Sequence, residues 1–311
     1  MPATAREDDE RPGLGRAFVS PARGGRPGGH LGGAGHVRLS FGAMTAGAST
    51  APASGASSSL APGDVVASDV EGTLTDGETW RGLGRWLAAN GRRAEYRRFL
   101  APRLLALPLA RFGLYDRQRF RDRWIRDLVA HLAGLDAAEI DAIAAWIVEE
   151  ELWPARREPM LAELALAVDG GARLVLVSGT YDPVLRAFAA RIAARIGAEG
   201  IGAARAGSEG IAAEGVGTPL RFEGGRFTGH LAGPVNTGRV KVERLARRIG
   251  SAPLGRAYGD SAADLALLEA AATPIAVTPD RALAQIARDR GWRIVGATAA
   301  GAVTGGSARA S

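Results

Sequence analysis

Two carboxylates close together at the end of an apolar run are the first residues in this sequence whose spacing could support chemistry. Residues 65–67 are typical of a buried parallel strand, which ends near Asp69 and is followed by Glu71. A turn with a flexible backbone and two hydroxyls comes next, formed by Gly72, Thr73 and Thr75. Ligands of open α/β sheets bind at the carboxyl ends of parallel strands. Two acids beside a glycine turn at such a place suggest chemistry on an anion, assisted by a cation.

Three later stretches add polar groups of the same kind. A strand predicted over 173–177 is followed by a hydroxyl and backbone N–H groups at the start of a predicted helix, those of Ser178, Gly179 and Thr180. A short strand over 256–258 leads to Asp260, and Asp264 lies one helical turn further on. A predicted helix carries Lys241, the only lysine in an arginine-rich chain. A lysine retained in such a composition suggests a need for a compact ammonium.

Each of these groups has a use in phosphoryl transfer. Asp69 suits attack on phosphorus to form an aspartyl-phosphate, and Glu71 suits protonation of the leaving alcohol and then activation of water. Mg²⁺ prefers hard oxygen ligands, which Asp69 and Asp260 could supply, while Asp264 could ligate directly or orient a bound water. Phosphoryl charge could be neutralised by the hydroxyl, the N–H groups and the ammonium, those of Ser178, Gly179, Thr180 and Lys241.

The pattern of predicted elements that must position these groups indicates an α/β fold. Alternating strands and helices over 63–79 and 166–296 predict a Rossmann-like core with a sheet of about five parallel strands and a hairpin over 220–231. Residues 80–165 show helical periodicity without a convincing strand, and this predicts an inserted α-helical cap domain. The two ends of the chain, 1–62 and 297–311, lack apolar periodicity and are expected to be disordered tails.

The motifs resemble those of a known family. The series DVEGTLT, VLVSGT, Lys241 and AYGDSAADLALL is similar to the four signatures of the haloacid dehalogenase (HAD) superfamily, and most like its phosphoserine phosphatase branch with a helical cap. The resemblance implies that Asp69 is the nucleophile, Glu71 the general acid/base and Ser178 a phosphate ligand. It also implies that Lys241 steadies the phosphoaspartate, and that Asp260 and the backbone carbonyl of Glu71 hold Mg²⁺.

Three positions bear on how far the resemblance extends. The family usually has Asp at the position of Glu71, although its enolase-phosphatase branch resembles this chain in having Glu. Phosphoserine phosphatases typically carry Asn just before the last motif acid, where this chain has Ala263, and this argues against a phosphoserine substrate. Glu78 matches the position that contacts the substrate amino group in those enzymes, and its alternative role is to cap the first cap helix.

Composition limits the remaining classes. The chain has 311 residues, no cysteine and 46% apolar residues, and its four histidines are scattered, so any metal must sit on oxygen ligands. No window approaches about 20 consecutive apolar residues, and the first residues lack a secretory signal pattern, so cytoplasmic residence is expected. Between residues 81 and 126 there are 13 arginines against 3 acids. These arginines form either a solvated helix face or a surface that attracts anionic substrates or an acidic membrane.

We therefore expect a Mg²⁺-dependent phosphomonoester hydrolase acting on a small phosphorylated metabolite or a lipid phosphate. One alternative is a weakly catalytic or non-catalytic module that binds anionic ligands or lipid head groups, and another is a phosphotransferase. Dehalogenation is disfavoured, because it needs neither Asp260 nor a leaving-group acid at Glu71. Nucleic acid is not an expected partner, since few aromatic residues interleave the arginines. The sequence indicates no oligomeric state.

Overall fold

A computed structural model describes residues 60–111, 117–199 and 213–296, with the backbone alone over 103–111 and 117–121. Of the predicted tails, residues 1–59 of the first and all of the second, 297–311, lie outside the described residues. Leu60, which the prediction assigned to the first tail, packs against the apolar core. The folded core thus begins slightly earlier than its predicted start at residue 63.

The centre of the fold is a parallel sheet in the order β3-β2-β1-β6-β7-β8. Its six strands exceed the expected five or so by β3, which the sequence reading did not include. The strands in chain order, with the hairpin strands β4 and β5, are β1 (Val65–Ser68), β2 (Arg173–Tyr181), β3 (Ala213–Thr218), β4 (Leu220–Glu223), β5 (Arg226–Leu231), β6 (Leu254–Gly259), β7 (Thr273–Val277) and β8 (Arg293–Val295).

Helices cover the sheet, and those over residues 79–147, between β1 and β2, form an α-helical cap. The described helices are α1 (Thr79–Ala89), α2 (Arg93–Arg111), α3 (Arg117–Val129), α4 (Ala137–Ile147), α5 (Glu158–Asp169), α6 (Asp182–Ala198), α7 (Gly238–Ile249), α8 (Leu265–Glu269) and α9 (Arg281–Asp289). The predicted boundary between cap and core at residue 165 falls inside α5, and the division of the chain into these domains stays a prediction. No helix of the described residues is both long and apolar enough to cross a membrane.

Strand β1 is buried on both of its faces, as expected for a central strand of a parallel sheet. Val66 faces the apolar layer that contains α5 and α6, while Val65 and Ala67 face the layer that contains α7, α8 and α9. Ser68 pairs with Leu176 of β2 and Tyr258 of β6. Because parallel neighbours end at the same edge, the residues that follow β1 and β6 emerge side by side.

The hairpin predicted over 220–231 is confirmed. β4 pairs with β5 in antiparallel fashion, and the turn between them uses Gly224 and Gly225, both with positive φ. Phe227 of β5 is buried, and its backbone exchanges hydrogen bonds with the loop before α4, accepting from Gly134 N at 2.8 Å and donating to Leu135 O at 2.8 Å. The hairpin therefore touches the helical cap directly.

Candidate active site

The carboxylates expected at the strand ends meet in one cluster. Asp69 follows β1, Asp260 follows β6, and Asp264 ends the short 3₁₀ turn after it. One carboxylate oxygen from each of these residues lies within 4.8 Å of the others. Asp69 and Asp264 are buried, and Asp260 is half-buried. The side chain of Glu71 does not belong to this cluster.

The buried ammonium of Lys241 closes the cluster from α7. Its Nζ lies 2.7 Å from Asp69 Oδ1 and 2.5 Å from Asp264 Oδ1, and only 2% of the residue is exposed. Its place on the first turn of α7, whose Leu245 is buried in the layer beneath β1, brings the side chain to the sheet edge. Hydrogen bonds between an ammonium and a carboxylate that are buried away from water are stronger than hydrogen bonds between neutral groups.

Burial and charge act against each other on these groups. Burial raises the pKa of Asp69, and the adjacent Lys241 ammonium offsets this only in part. For Asp264 the same ammonium outweighs burial and leaves the pKa below its ordinary value. Burial lowers the pKa of Lys241, but the carboxylates of Asp264 and Asp69 more than compensate and hold it above its usual range. Three carboxylates against one ammonium leave the cluster net negative.

The donor set fits Mg²⁺. All three nearby ligand atoms are carboxylate oxygens, the hard ligands that Mg²⁺ prefers, and their net charge attracts a dication. Both carboxylate oxygens of Asp264 accept hydrogen bonds. Oδ1 binds Lys241, and Oδ2 accepts from the backbone N–H and hydroxyl of Ser261. These bonds suit Asp264 to hold Lys241 in place.

Gly72 allows the turn after the first acids to approach Asp260 closely. It has φ +86°, and a Cβ built on it would lie 2.3 Å from Asp260 Oδ2. Any side chain there would collide with the carboxylate as well as strain the backbone. Thr73 adds a hydroxyl 3.4 Å from Asp260 Oδ1. The glycine turn thus brings the backbone of the first motif against the last motif.

The Glu71 side chain points to the first residue of the cap. Its Oε1 accepts the backbone N–H of Thr79 at 2.9 Å and also the Thr79 hydroxyl. Because Thr79 gives its one hydroxyl hydrogen to Glu71, the Thr180 hydroxyl, 2.7 Å away, must donate to Thr79. Burial raises the pKa of Glu71 to about 7, against the lowering effect of the Thr79 hydrogen bonds. A carboxyl with this pKa can exchange a proton near neutrality.

Glu78 lies at the N-cap position of α1 without making a side-chain capping bond. Its carboxylate accepts the indole N–H of Trp80 and forms an ion pair with Arg81 at 3.6 Å. These contacts contradict the capping alternative. They leave the proposed contact with a substrate amino group as a prediction, one in which Glu78 would have to exchange these partners.

The segment from Ser178 to Thr180 belongs to β2. The expectation that Gly179 and Thr180 begin a helix is wrong, because β2 continues to Tyr181 and α6 begins at Asp182. The ladder to β3 is irregular between Val177 and Tyr181, so the backbone in this stretch departs from regular pairing. Ser178 and Thr180 are buried at the same sheet edge as Asp69.

Two residues that the sequence reading did not single out support this edge. The Asn236 side chain is fully buried and donates to the carbonyls of Ser178 at 3.0 Å and Val216 at 2.7 Å. Thr79, described above, is the second. The signal for Asn236 was a polar Asn-Thr-Gly stretch directly before the helix of Lys241, and a threonine opening the first cap helix was the signal for Thr79.

The arginine-rich face of the cap is partly neutralised. Arg81, Arg85 and Arg92 form ion pairs with acidic residues of the cap or its entrance. An attraction of this face to anionic membranes stays a prediction.

Replacing Lys241 with Met should destabilise the fold through the carboxylates left behind. Without added divalent cation at about pH 7, we expect the free energy of unfolding to fall by about 3–5 kcal/mol, the typical effect of removing one partner of a buried ion pair. With the ammonium gone, the folded-state pKa of Asp69 rises further above its unfolded value, and that of Asp264 rises from below its ordinary value, because burial is no longer offset by the cation. The deficit should therefore shrink as the pH falls towards about 5.

Urea unfolding at the two pH values measures this deficit. The double variant Lys241→Met with Asp264→Asn should recover part of the loss, since it carries one unpaired buried carboxylate fewer. A deficit that is equal at both pH values and unrelieved in the double variant contradicts this account.

Known proteins share this sequence pattern and fold. Residues 66–269 match the family described as haloacid dehalogenase-like hydrolase. Phosphoserine phosphatase SerB1 of Mycobacterium tuberculosis is 32% identical over 235 residues, which cover 72% of this chain and 68% of that protein. A hydrolase of Mycobacterium leprae is 29% identical over 235 residues, with coverage of 72% and 69%.

A solved structure supports the fold. A protein of unknown function from Bordetella pertussis Tohama I superposes with a TM-score of 0.60 at 22% identity, covering 77% of this chain and 100% of that one. Together with the motif cluster at the sheet edge, the family match and the mycobacterial relative show that this chain belongs to the haloacid dehalogenase-like hydrolase family, as an enzyme of its phosphatase type.

Proposed function

We propose that the protein hydrolyses phosphomonoesters in a Mg²⁺-dependent reaction through a phosphorylated Asp69. The observation that carries the proposal is the contact of the Asp69 carboxylate with the Lys241 ammonium at 2.7 Å, inside a cluster that also contains Asp260. A buried carboxylate beside a fixed cation is placed to attack an anionic phosphorus centre, because the cation offsets the charge repulsion.

In the first step the Asp69 carboxylate forms a bond to phosphorus, and the bond from phosphorus to the leaving alcohol oxygen breaks. Protonated Glu71 donates its proton to that oxygen, so that an alcohol leaves instead of an alkoxide. Its pKa of about 7 keeps a substantial protonated fraction near neutrality. Lys241 and the hydroxyl of Ser178 stabilise charge on the phosphoryl oxygens.

In the second step a water oxygen attacks phosphorus, and the bond between phosphorus and the Asp69 oxygen breaks. Glu71, now ionised, accepts the proton of the water, and inorganic phosphate and the Asp69 carboxylate are released. Asp69, Asp260 and the Glu71 carbonyl would hold Mg²⁺, with Asp264 keeping Lys241 in place. When bound, the ion supplies positive charge that stabilises the phosphoryl oxygens.

The substrate class that we propose is a small phosphorylated metabolite or a lipid phosphate. A mycobacterial relative is named phosphoserine phosphatase. Phosphoserine itself is not part of this proposal, because Ala263 stands where that branch has Asn.

Asp69→Asn should abolish turnover while the fold persists, because an amide oxygen is a poor nucleophile. Phosphate release is measured over a panel of phosphorylated metabolites, lysophospholipid phosphates and p-nitrophenyl phosphate, with Mg²⁺ and with chelator. We expect wild-type activity only with Mg²⁺ and a loss of at least about 10³-fold in Asp69→Asn. Circular dichroism checks the fold of the variant. Undiminished turnover in Asp69→Asn would falsify the nucleophile assignment.

Glu71→Gln should lower kcat/KM most for substrates whose leaving group must be protonated as it departs. For an alkyl phosphate we expect kcat/KM to fall by about 10²–10⁴-fold, since the alkoxide must be protonated as it leaves. Nitrophenolate leaves without a proton, so kcat/KM for p-nitrophenyl phosphate should fall far less. Glu71→Asp should also lose activity on alkyl phosphates, because the shorter side chain cannot hold its position at Thr79. Equal losses on both substrates would remove Glu71 from the acid role.

Thr79→Val should reproduce this selectivity more weakly. The change removes the hydroxyl that binds Glu71, and one hydrogen bond to a charged group corresponds to a loss of roughly tenfold in kcat/KM for alkyl phosphates. Thr79→Ser keeps the hydroxyl and serves as the matched control, with kcat/KM close to wild type. If Val and Ser behave alike on both substrate types, the Thr79 hydroxyl does not orient the acid.

A further inference from the structure

Arg157 stands where the chain returns from the cap to the core. It occupies the N-cap position of α5, and its side chain is 13% exposed. The two chain segments that connect the core with the cap, one leading into the cap and one returning from it, run side by side here. Arg157 N donates to Leu74 O at 2.7 Å, and Asp76 N donates to Ala155 O at 3.0 Å. The segment that returns from the cap is thus hydrogen-bonded to the end of the first motif, DVEGTLT, and to the residue after it.

The Arg157 guanidinium binds the same turn. Its Nη1 donates to the carbonyl of Gly72 and lies 3.4 Å from the carbonyl of Thr73, while Nη2 lies 2.6 Å from Asp76 Oδ1. Nη1 also lies 3.2 Å from the hydroxyl of Thr278, the residue after β7. Among the described residues, Thr278 is the only non-glycine with positive φ, at 41°. A planar guanidinium can satisfy several acceptors at once in this way.

These contacts matter because both segments flank Asp260. On one side Gly72 approaches the Asp260 carboxylate so closely that no Cβ would fit, and Thr73 directs its hydroxyl to it. On the other side Asp280, two residues after Thr278, donates its backbone N–H to the Asp260 carbonyl at 2.7 Å. Arg157 contacts both of these segments, the Gly72 turn and the loop after β7, although it lies outside all four sequence motifs.

We propose that Arg157 is a positioning residue for catalysis, one that fixes the Gly72 turn and the loop after β7 around Asp260. This inference rests on the proposed phosphatase function for its catalytic consequence. The role differs from that of a surface ion pair. Asp76 is 68% exposed, and an exposed carboxylate contributes little to an ion pair. The bonds to the Gly72 carbonyl on one side and the Thr278 hydroxyl on the other carry the effect instead.

The test compares Arg157→Ala and Arg157→Lys with two controls. Arg156→Ala removes the neighbouring guanidinium, which binds Trp153 O at 2.9 Å and packs over the Trp153 ring. Asp76→Asn removes only the ion pair. We expect Arg157→Ala to lower kcat by about tenfold or more, since small displacements of catalytic groups are costly, with KM for substrate nearly unchanged. Lysine cannot span Gly72 and Asp76 together, so Arg157→Lys should fall between, and both controls should stay close to wild type.

Two readouts separate positioning from a loss of stability. Guanidinium at sub-denaturing concentration should restore part of the kcat of Arg157→Ala, whereas sodium chloride of equal ionic strength should not. The Mg²⁺ concentration that gives the half-maximal rise in Tm should be higher in Arg157→Ala than in wild type. Without the guanidinium, the Gly72 turn and the loop after β7 hold Asp260 less firmly in place, so Mg²⁺ binds more weakly. The second readout needs no substrate.

The outcomes distinguish this inference from the proposed function. If wild type releases no phosphate from any substrate of the panel, the proposed function fails, and the Mg²⁺-dependent shift in Tm still decides whether Arg157 organises the surroundings of Asp260. If wild type is active, but Arg157→Ala matches Arg156→Ala in kcat and in its Mg²⁺ response and guanidinium restores nothing, the role of Arg157 is overturned.

Discussion

The buried contact of one ammonium with two carboxylates is the interaction on which the rest of the site depends. Lys241 comes from a helix on one face of the sheet, Asp69 from the central strand and Asp264 from the turn after the neighbouring strand. Removing these charges from water is expensive, and their mutual attraction offsets much of that cost. The sheet must therefore hold three distant segments in register to keep the ion pairs intact. The geometry of this cluster and the stability of the fold depend on the same contacts.

A second constraint links the acid to the cap. Glu71 belongs to the motif that follows β1, yet its carboxylate is held by Thr79, the first residue of α1. The family usually has Asp at the position of Glu71. The extra methylene of Glu lets the side chain reach Thr79 at the start of the cap helix. The Thr180 hydroxyl extends this contact to the end of β2. Two hydrogen bonds in series thus link the motif after β1, the first residue of α1 and the end of β2.

Much of this arrangement could be predicted from the sequence, because polar residues that end apolar runs converge at one edge of a parallel sheet. This pattern predicts Asp69 and Asp260, whereas Lys241 stands out as the only lysine of the sequence, on a predicted helix. The structure brings the three together. Thr79, Asn236 and Arg157 were not, since their importance comes from neighbours far away in sequence and not from local pattern. The extension of β2 through Thr180 was missed for a related reason. Ser-Gly-Thr favours a turn locally, but the flanking residues Val177 and Tyr181 pair with β3, and packing in the sheet keeps the chain between them extended.

The hairpin of β4 and β5 changes how the molecule can open. It follows β3 in the chain and so belongs to the core by sequence, but Phe227 shares two backbone hydrogen bonds with Gly134 and Leu135 at the beginning of α4. A swing of the whole inserted segment about its two connections to the core would break these bonds unless the hairpin travelled with it. A body that moved as one rigid piece with these bonds intact would therefore include the hairpin as well as the inserted segment. A hinge axis for such a motion would have to pass through the loops on either side of the hairpin and through the two segments that connect the insertion to the core.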